Sequence, residues 1–322
     1  MPRAGYVVRV IGKTNSETVC DIAVAQDFAA RYGEGVHRGL SLGGGGLFFI
    51  AWQTAYLHKL ASEGLRVDSA DSVVGTSAGS LVASALLGGR LRRIHTEMYL
   101  LARYSKILSR LMPNPTLQPS QQRALDLMSG ARNNDIATLR AIGHAALGAN
   151  VRSSKAMRRS VNVMVGVKRW PSKALKITCV DAFTGERCVV STEANASVRD
   201  AIAASCSIPG FSSPQAIGDR LCMDGGISGT FVHLDLLAGA RKVLVLALSD
   251  GTDVMEEMPT VAPGAAKKEL ELLAASGTEV MLRVPEHFEN DELLSPEAVP
   301  KALAMGTRQA SADLSELVAF WS

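Results

Sequence analysis

Short runs of Val, Leu and Ile alternate with longer segments of helical period, and this pattern limits the fold more than any other feature of the chain. Such runs indicate strands that are buried on both faces, and the helical segments between them supply the cover. The sequence therefore predicts an α/β fold with a mostly parallel central sheet and helices on both faces. The predicted strands are residues 6–10, 39–42, 72–74, 161–167, 175–180, 187–190, 242–248 and 279–284.

Helix start and stop signals divide the chain into two parts. Thr14 and Glu17 fit a capping box at the start of a helix, and Gly33 stands where that helix would end. We assign no role to this N-terminal arm, residues 1–36. Residues 37–322 are then expected to form one domain, with a helical insertion over the sheet at about residues 91–158.

The first helix of the expected insertion has an apolar face and a basic face. Its apolar residues recur at helical spacing, at Leu91, Ile94, Met98, Leu101, Leu108 and Met112. Its basic residues lie elsewhere, at Arg92, Arg93, Arg103, Lys106 and Arg110. Either the basic face is solvated above a buried stripe, or it rests on anionic lipid headgroups.

Composition argues against several functions. Lys and Arg number 34 against 31 Asp and Glu, and this formal charge of +3 is too small to indicate a nucleic-acid partner. The five cysteines form no C-x-x-C pair, so we expect small buried residues in a reducing compartment and no metal site. The N-terminus lacks a signal-peptide core, and no apolar run reaches the roughly 20 residues of a membrane helix. These features predict a cytoplasmic protein.

The stretch DSVVGTSAGS, residues 71–80, places Ser77 between Gly75 and Gly79 directly after an apolar run. Turns rich in Gly and Ser commonly connect a strand to a helix, and Ser77 need do nothing more. The same residues also fit G-x-S-x-G, the turn that presents a nucleophilic serine at the end of a strand. Catalysis would require a base within hydrogen-bond reach of the hydroxyl and donors for the oxyanion.

Both requirements have candidates in the sequence. Four glycines at residues 43–46 precede a helix, where backbone N–H groups can converge on a phosphate or an oxyanion; the alternative is a flexible connection. Asp224 follows a short apolar run and precedes Gly225 and Gly226, a pattern that is also common in hairpin turns.

In order and in flanking residues, these three motifs resemble those of the patatin-like phospholipases, especially the bacterial ones. The segment AASCSIPGFSSP, residues 203–214, is also similar to the family. The resemblance implies a three-layer α/β hydrolase with a Ser77–Asp224 dyad, an oxyanion hole at Gly44, Gly45 and Gly46, and no cofactor. It implies a lipid acyl-ester substrate, cleaved as by a phospholipase A, lysophospholipase or esterase, and transient contact with a membrane surface.

One position departs from the family pattern. Many relatives have Arg and Gly two and three residues after the glycine run, where this chain has Phe48 and Phe49. The resemblance therefore carries no headgroup preference over to this chain. Phe48, Phe49 and Trp52 are candidates for an acyl-chain pocket, and the alternative is that they are core residues at the start of a helix.

Other functions stay open at this point. G-x-S-x-G also begins the Ser–Asp–His order of the α/β-hydrolases, and both His233 and His287 follow Asp224. A patatin-like fold that has lost catalysis would instead serve as a regulatory or scaffold protein. A nucleotide-binding loop ranks last, because the glycine run lacks the lysine of G-x-x-x-x-G-K-[ST] and the spacing of G-x-G-x-x-G.

Overall fold

The predicted α/β alternation is confirmed in the computed structural model, which describes residues 21–111, 117–151, 154–250 and 264–322. The strands are β1 (Arg38–Leu42), β2 (Ser72–Thr76), β3 (Leu175–Asp181), β4 (Arg187–Val190), β5 (Gln215–Ile217), β6 (Arg220–Asp224), β7 (Lys242–Leu246) and β8 (Glu279–Arg283). The helices are α1 (Gly46–Ser62), α2 (Ala78–Leu87), α3 (Leu91–Leu111), α4 (Pro119–Gly130), α5 (Ile136–Gly148), α6 (Ser154–Val165), α7 (Val198–Ser205), α8 (Ala265–Ala275) and α9 (Val299–Trp321).

The strands form one sheet in the order β5-β6-β3-β2-β1-β7-β8, and β4 pairs with β3 beside this path. The central strands β3, β2, β1, β7 and β8 are parallel, whereas β4, β5 and β6 enter through antiparallel pairs. The carboxyl ends of β1 and β2 therefore lie at the same edge, where ligands bind in open α/β sheets.

The sheet is the middle of three layers. Successive strand residues point to opposite faces. Val73 joins the apolar cluster that includes α1, α2 and α9, whereas its neighbour Val74 joins the cluster on the other face, which includes Leu273 of α8. Burial on both faces explains why these strands are nearly continuous apolar runs.

One predicted strand is wrong and two strands were not predicted. Residues 161–167 fall largely within helix α6, where Val161 and Val165 are buried and Val163 is 67% exposed. The four-residue spacing of the two buried valines is helical, and it overrides the apparent alternation of VNVMVGV. Strands β5 and β6 were missed, although the aspartate at the end of β6 was identified.

The N-terminal arm differs from the prediction where it is described. Residues 6–10, Thr14 and Glu17 lie outside the described residues. Residues 21–36 contain no helix, so Gly33 does not end one. This part of the arm instead pairs with β4, through Val24 N–H to the Arg187 carbonyl (2.9 Å) and Val189 N–H to the Ile22 carbonyl (2.8 Å).

Helices α3 to α6 occupy the region of the predicted insertion. In α3, Leu91, Ile94 and Met98 are buried, whereas Arg92, Arg93 and Arg103 are exposed, as the periodicity predicts. The side chains of Lys106, Leu108, Arg110 and Met112 lie outside the described residues. Within the described ranges, no helix has the length and apolar character needed to cross a bilayer.

Candidate active site

Ser77 occupies the turn between β2 and α2 with φ 49° and ψ −117°. Positive φ is strained for a residue other than glycine, and such strain is typical of a nucleophilic serine at a strand end. The N–H group of Ser77 donates to Ser205 Oγ (2.8 Å), and its carbonyl accepts from Ser80 Oγ (2.7 Å). These two bonds hold the backbone of the turn in place.

The glycines that flank Ser77 permit close packing around the turn. A Cβ on Gly79 would lie 1.9 Å from the Leu42 carbonyl oxygen, and a Cβ on Gly75 would lie 2.7 Å from Ser80 Cα. Any side chain at either position would push α2 away from the ends of β1 and β2. The spacing of G-x-S-x-G therefore follows from steric contact in this fold.

Asp224 reaches Ser77 because β3 changes partner at this point. Thr76, the last residue of β2, pairs with Thr178 of β3, and the next residue of β3, Cys179, pairs with Asp224 of β6. The ends of β2 and β6 therefore meet beside β3. Ser77 Oγ donates to Asp224 Oδ2 across 2.8 Å.

The Asp224 carboxyl group is enclosed by protein. Asp224 is only 5% exposed. Oδ1, the carboxylate oxygen that does not contact Ser77, accepts from the N–H group of Gly226 (2.8 Å). Burial raises the pKa of Asp224 to about 7, against smaller lowering effects of the Gly226 N–H group and the Ser77 hydroxyl. A carboxylate with a pKa near 7 is suited to accept a proton at neutral pH.

The glycine run passes directly beside the Ser77 side chain. A Cβ on Gly44 would lie 3.2 Å from Ser77 Cβ. Within the described parts of the chain, the N–H groups of Gly44, Gly45 and Gly46 make no hydrogen bond. Because α1 begins at Gly46, its helix dipole adds positive potential at the same place. Unpaired amides at a helix start are suited to bind an oxyanion.

A cavity of about 190 Å³ is lined by Ser77, Asp224, Gly45 and Gly46. Its other side chains are apolar and come from α4, from the segments after α7 and β6, and from the segment before α9: Met128, Ile208, Phe211, Ile227, Phe231, Leu293 and Leu294. No Lys, Arg or His is among the described residues that line it. Ser77 therefore faces a space that suits a hydrocarbon chain.

Phe48, Phe49 and Trp52, which the sequence suggested for an acyl-chain pocket, do not line this cavity. All three side chains are fully buried in the core. Phe48 contacts the Phe288 ring (centroids 5.3 Å apart), and Phe49 stacks on Trp52 (5.3 Å). The acyl-pocket prediction is therefore wrong, and the alternative, that these are core residues at the start of a helix, holds. Helix α1 packs its rings against the core and not toward the cavity.

Neither histidine of the alternative triad contacts the pair. His287 is exposed and pairs with Glu289. His233 is buried, with Nε2 3.1 Å from the Gly225 carbonyl and Nδ1 3.4 Å from Arg187. Burial, aided by Arg187, lowers the pKa of His233 to about 3, so the ring is neutral. Because a guanidinium can only donate, Nδ1 accepts and the N–H group at Nε2 donates to Gly225.

Several residues around the site were not identified from the sequence. Ser205, the partner of the Ser77 N–H group, lies in the segment 203–214, whose similarity to the patatin-like phospholipases does not single it out. Leu293 and Leu294 lie far along the chain in a segment without regular period. A sequence pattern cannot place such residues, because their contacts depend on how distant segments pack.

A mostly parallel α/β sheet that presents a G-x-S-x-G serine beside unpaired glycine amides is the arrangement typical of serine hydrolases. Within that class, a family model described as Patatin-like phospholipase matches residues 40–237. The chain therefore belongs to the patatin-like phospholipase family, and at the level of that family it is a lipid acyl hydrolase.

Solved structures also match the chain. VipD from Legionella pneumophila has a TM-score of 0.41 and 14% identity over 87% of this chain and 67% of its own. The type III effector protein ExoU has a TM-score of 0.36 and 16% identity, and the match covers 86% of this chain and 53% of the ExoU chain. The ExoU–SpcU complex of Pseudomonas aeruginosa has a TM-score of 0.31 and 16% identity over 96% of this chain and 61% of that one. No curated protein matches.

Proposed function

We propose that the protein hydrolyses the carboxylic ester of a lipid, with Ser77 as the nucleophile and Asp224 as its base. The observation that carries this proposal is the 2.8 Å hydrogen bond from Ser77 Oγ to Asp224 Oδ2 at the wall of an apolar cavity. The contacts of His233 and His287 favour a dyad over a Ser–Asp–His triad.

The reaction proceeds through an acyl-enzyme. Asp224 accepts the Ser77 proton as Oγ attacks the ester carbonyl, and the N–H groups of Gly44, Gly45 and Gly46 stabilise the oxyanion. The protonated Asp224 then gives its proton to the leaving alcohol as the carbon–oxygen bond of the ester breaks. A water molecule attacks the acyl-enzyme, Asp224 accepts its proton, and Ser77 takes that proton back when the fatty acid leaves.

The composition of the cavity supports a substrate with an acyl chain next to the scissile bond. Burial of each CH₂ group contributes about 0.8 kcal/mol, so we expect longer chains to be preferred until the cavity is filled. The described lining contains no Lys, Arg or His to pair with an anionic headgroup. We therefore place the polar headgroup of the substrate outside the cavity.

A lipid surface is the expected source of this substrate. Phe211 and Leu294 line the cavity and are 43% and 51% exposed, an arrangement that suits contact with lipid at the cavity rim. Flotation with phosphatidylcholine vesicles tests this part of the proposal. We expect Phe211→Ser with Leu294→Ser to reduce vesicle binding, and equal binding by wild type and variant would contradict it.

The central experiment measures kcat/KM on p-nitrophenyl esters of graded chain length and on phospholipid vesicles. We expect Ser77→Ala and Asp224→Asn each to reduce turnover by more than about 10³-fold. Ser84→Ala is the matched control, because this buried serine of α2 donates to the Ser80 carbonyl and does not touch the pair. Turnover that survives in folded Ser77→Ala contradicts the proposal. If His233→Ala abolishes the pH dependence of kcat/KM, that result would favour the triad. No ester turnover by wild type would favour a scaffold role.

A further inference from the structure

Three cysteine side chains converge on one face of the sheet, and no pattern in the sequence indicates this. Cys179 of β3, Cys188 of β4 and Cys222 of β6 have sulfur atoms within 4.8 Å of one another. All three residues are fully buried and none is in a disulfide. The expected burial of the cysteines is confirmed for these three, and their convergence was not expected.

The strand register explains the convergence. Cys179 pairs directly with Cys188 on β4, and it pairs with Asp224 on β6, two residues after Cys222. Directly paired residues share a face of the sheet, as do residues two apart in one strand. The three thiols therefore project from three strands to the same face.

The Arg220 guanidinium lies close enough to Cys188 for the two groups to interact electrostatically. Arg220 is itself held by Asp181 (3.0 Å) and Glu186 (2.9 Å). Thiolate rather than thiol is the form that binds metals.

We propose that Cys179, Cys188 and Cys222 bind a single monovalent copper ion in trigonal geometry. Thiolate ligands select soft metals, of which Cu(I) and Zn²⁺ are the common candidates. Structural zinc sites are almost always four-coordinate, and the described residues add no fourth Cys, His or carboxylate to this group.

The distances suit such an ion. Three sulfurs placed about 2.3 Å from a central metal in one plane lie about 4 Å apart, so the separations in the structure require shifts of less than about 1 Å. Binding converts each thiol to a thiolate and releases its proton to solvent, with no change in oxidation state. Because the ion joins β3, β4 and β6, it stabilises the folded state by mass action.

Copper binding by the reduced full-length chain tests this proposal under anaerobic conditions. Cu(I) is supplied as its bicinchoninate complex, and we expect the wild type to remove one equivalent. X-ray absorption of the loaded protein should give three sulfur ligands, and the melting temperature should rise. Cys188→Ser should lose the chelator-resistant ion, whereas Cys206→Ser and Cys20→Ser should keep it.

The proposal is wrong if the wild type removes no Cu(I) from bicinchoninate, or if Cys188→Ser binds Cu(I) as well as the wild type does. It is also wrong if the wild type retains Zn²⁺ in preference to Cu(I). If Cys188→Ser does not fold, the sulfur count at the metal in the wild type decides the question by itself. Three sulfurs support the trigonal site, and any other number contradicts it.

Discussion

Replacement of Asp224 by Asn should abolish hydrolysis and at the same time stabilise the fold at alkaline pH. Burial raises the pKa of Asp224 from 3.8 to about 7 in the folded protein. Between pH 4 and 7 the folded state therefore binds a proton that the unfolded state has released, and the free energy of unfolding falls as pH rises through this range. The difference between a pKa of 3.8 and one of about 7 corresponds to about 4 kcal/mol, which is the upper limit of this fall in the free energy of unfolding.

Urea unfolding of wild type and Asp224→Asn at pH 4, 6 and 8 measures this difference. The two proteins should differ least at pH 4, where the carboxyl is protonated in the folded state and still about half protonated in the unfolded state. They should differ most at pH 8, where the Asn variant should be more stable by up to about 4 kcal/mol. Ser77→Ala is the control. It is equally inactive but keeps the carboxyl, and it loses a donor that lowers the pKa, so its stability should fall with pH at least as steeply as that of wild type. A difference between wild type and Asp224→Asn that does not vary with pH would refute the reasoning.

Three further predictions follow from the site and the core. The rate kcat/KM should rise with pH around an apparent pKa of about 7, because only ionised Asp224 accepts the Ser77 proton; a flat profile from pH 5 to 9 would contradict this role. His233→Ala should lower kcat without moving that inflection, as measured by pH–rate profiles, since the neutral ring holds the Gly225 carbonyl and does not titrate in this range. Phe49→Ala should reduce the free energy of unfolding by about 3–5 kcal/mol without changing chain-length preference, whereas Phe211→Ala should change that preference with little loss of stability.

The parts of the site that the sequence predicted are those set by local geometry. The spacing of Gly75, Ser77 and Gly79 reflects contacts within one strand–turn–helix unit, so a short pattern contains the whole requirement. Asp224 became a candidate only through the family resemblance of the three motifs together, because Asp-Gly-Gly alone fits a hairpin turn as well. The mostly parallel sheet was predicted for a similar reason, because burial on both faces makes each strand a nearly continuous apolar run.

The failures involve side-chain direction and long-range pairing. Phe48 and Phe49 follow the glycine run in sequence, but adjacency says nothing about which way a helix points its rings. The strand prediction at 161–167 failed because a short run of alternating valines fits a helical spacing as well. The cysteine cluster was invisible because its members come from three strands, and their proximity depends on the register of β3 with β4 and β6.

The same register explains how the proposed dyad would work without a histidine. In a Ser–His–Asp triad the aspartate orients the base, whereas in the proposed dyad the base must be oriented by other means. Backbone pairing with Cys179 positions Asp224 along β3, the N–H group of Gly226 fixes one carboxylate oxygen, and Nε2 of His233 holds the Gly225 carbonyl. Only the second carboxylate oxygen is then left for Ser77. In the proposed mechanism, the sheet supplies the orientation that a third catalytic side chain supplies in a triad, and the orientation of Asp224 depends on the pairing of β3 with β6.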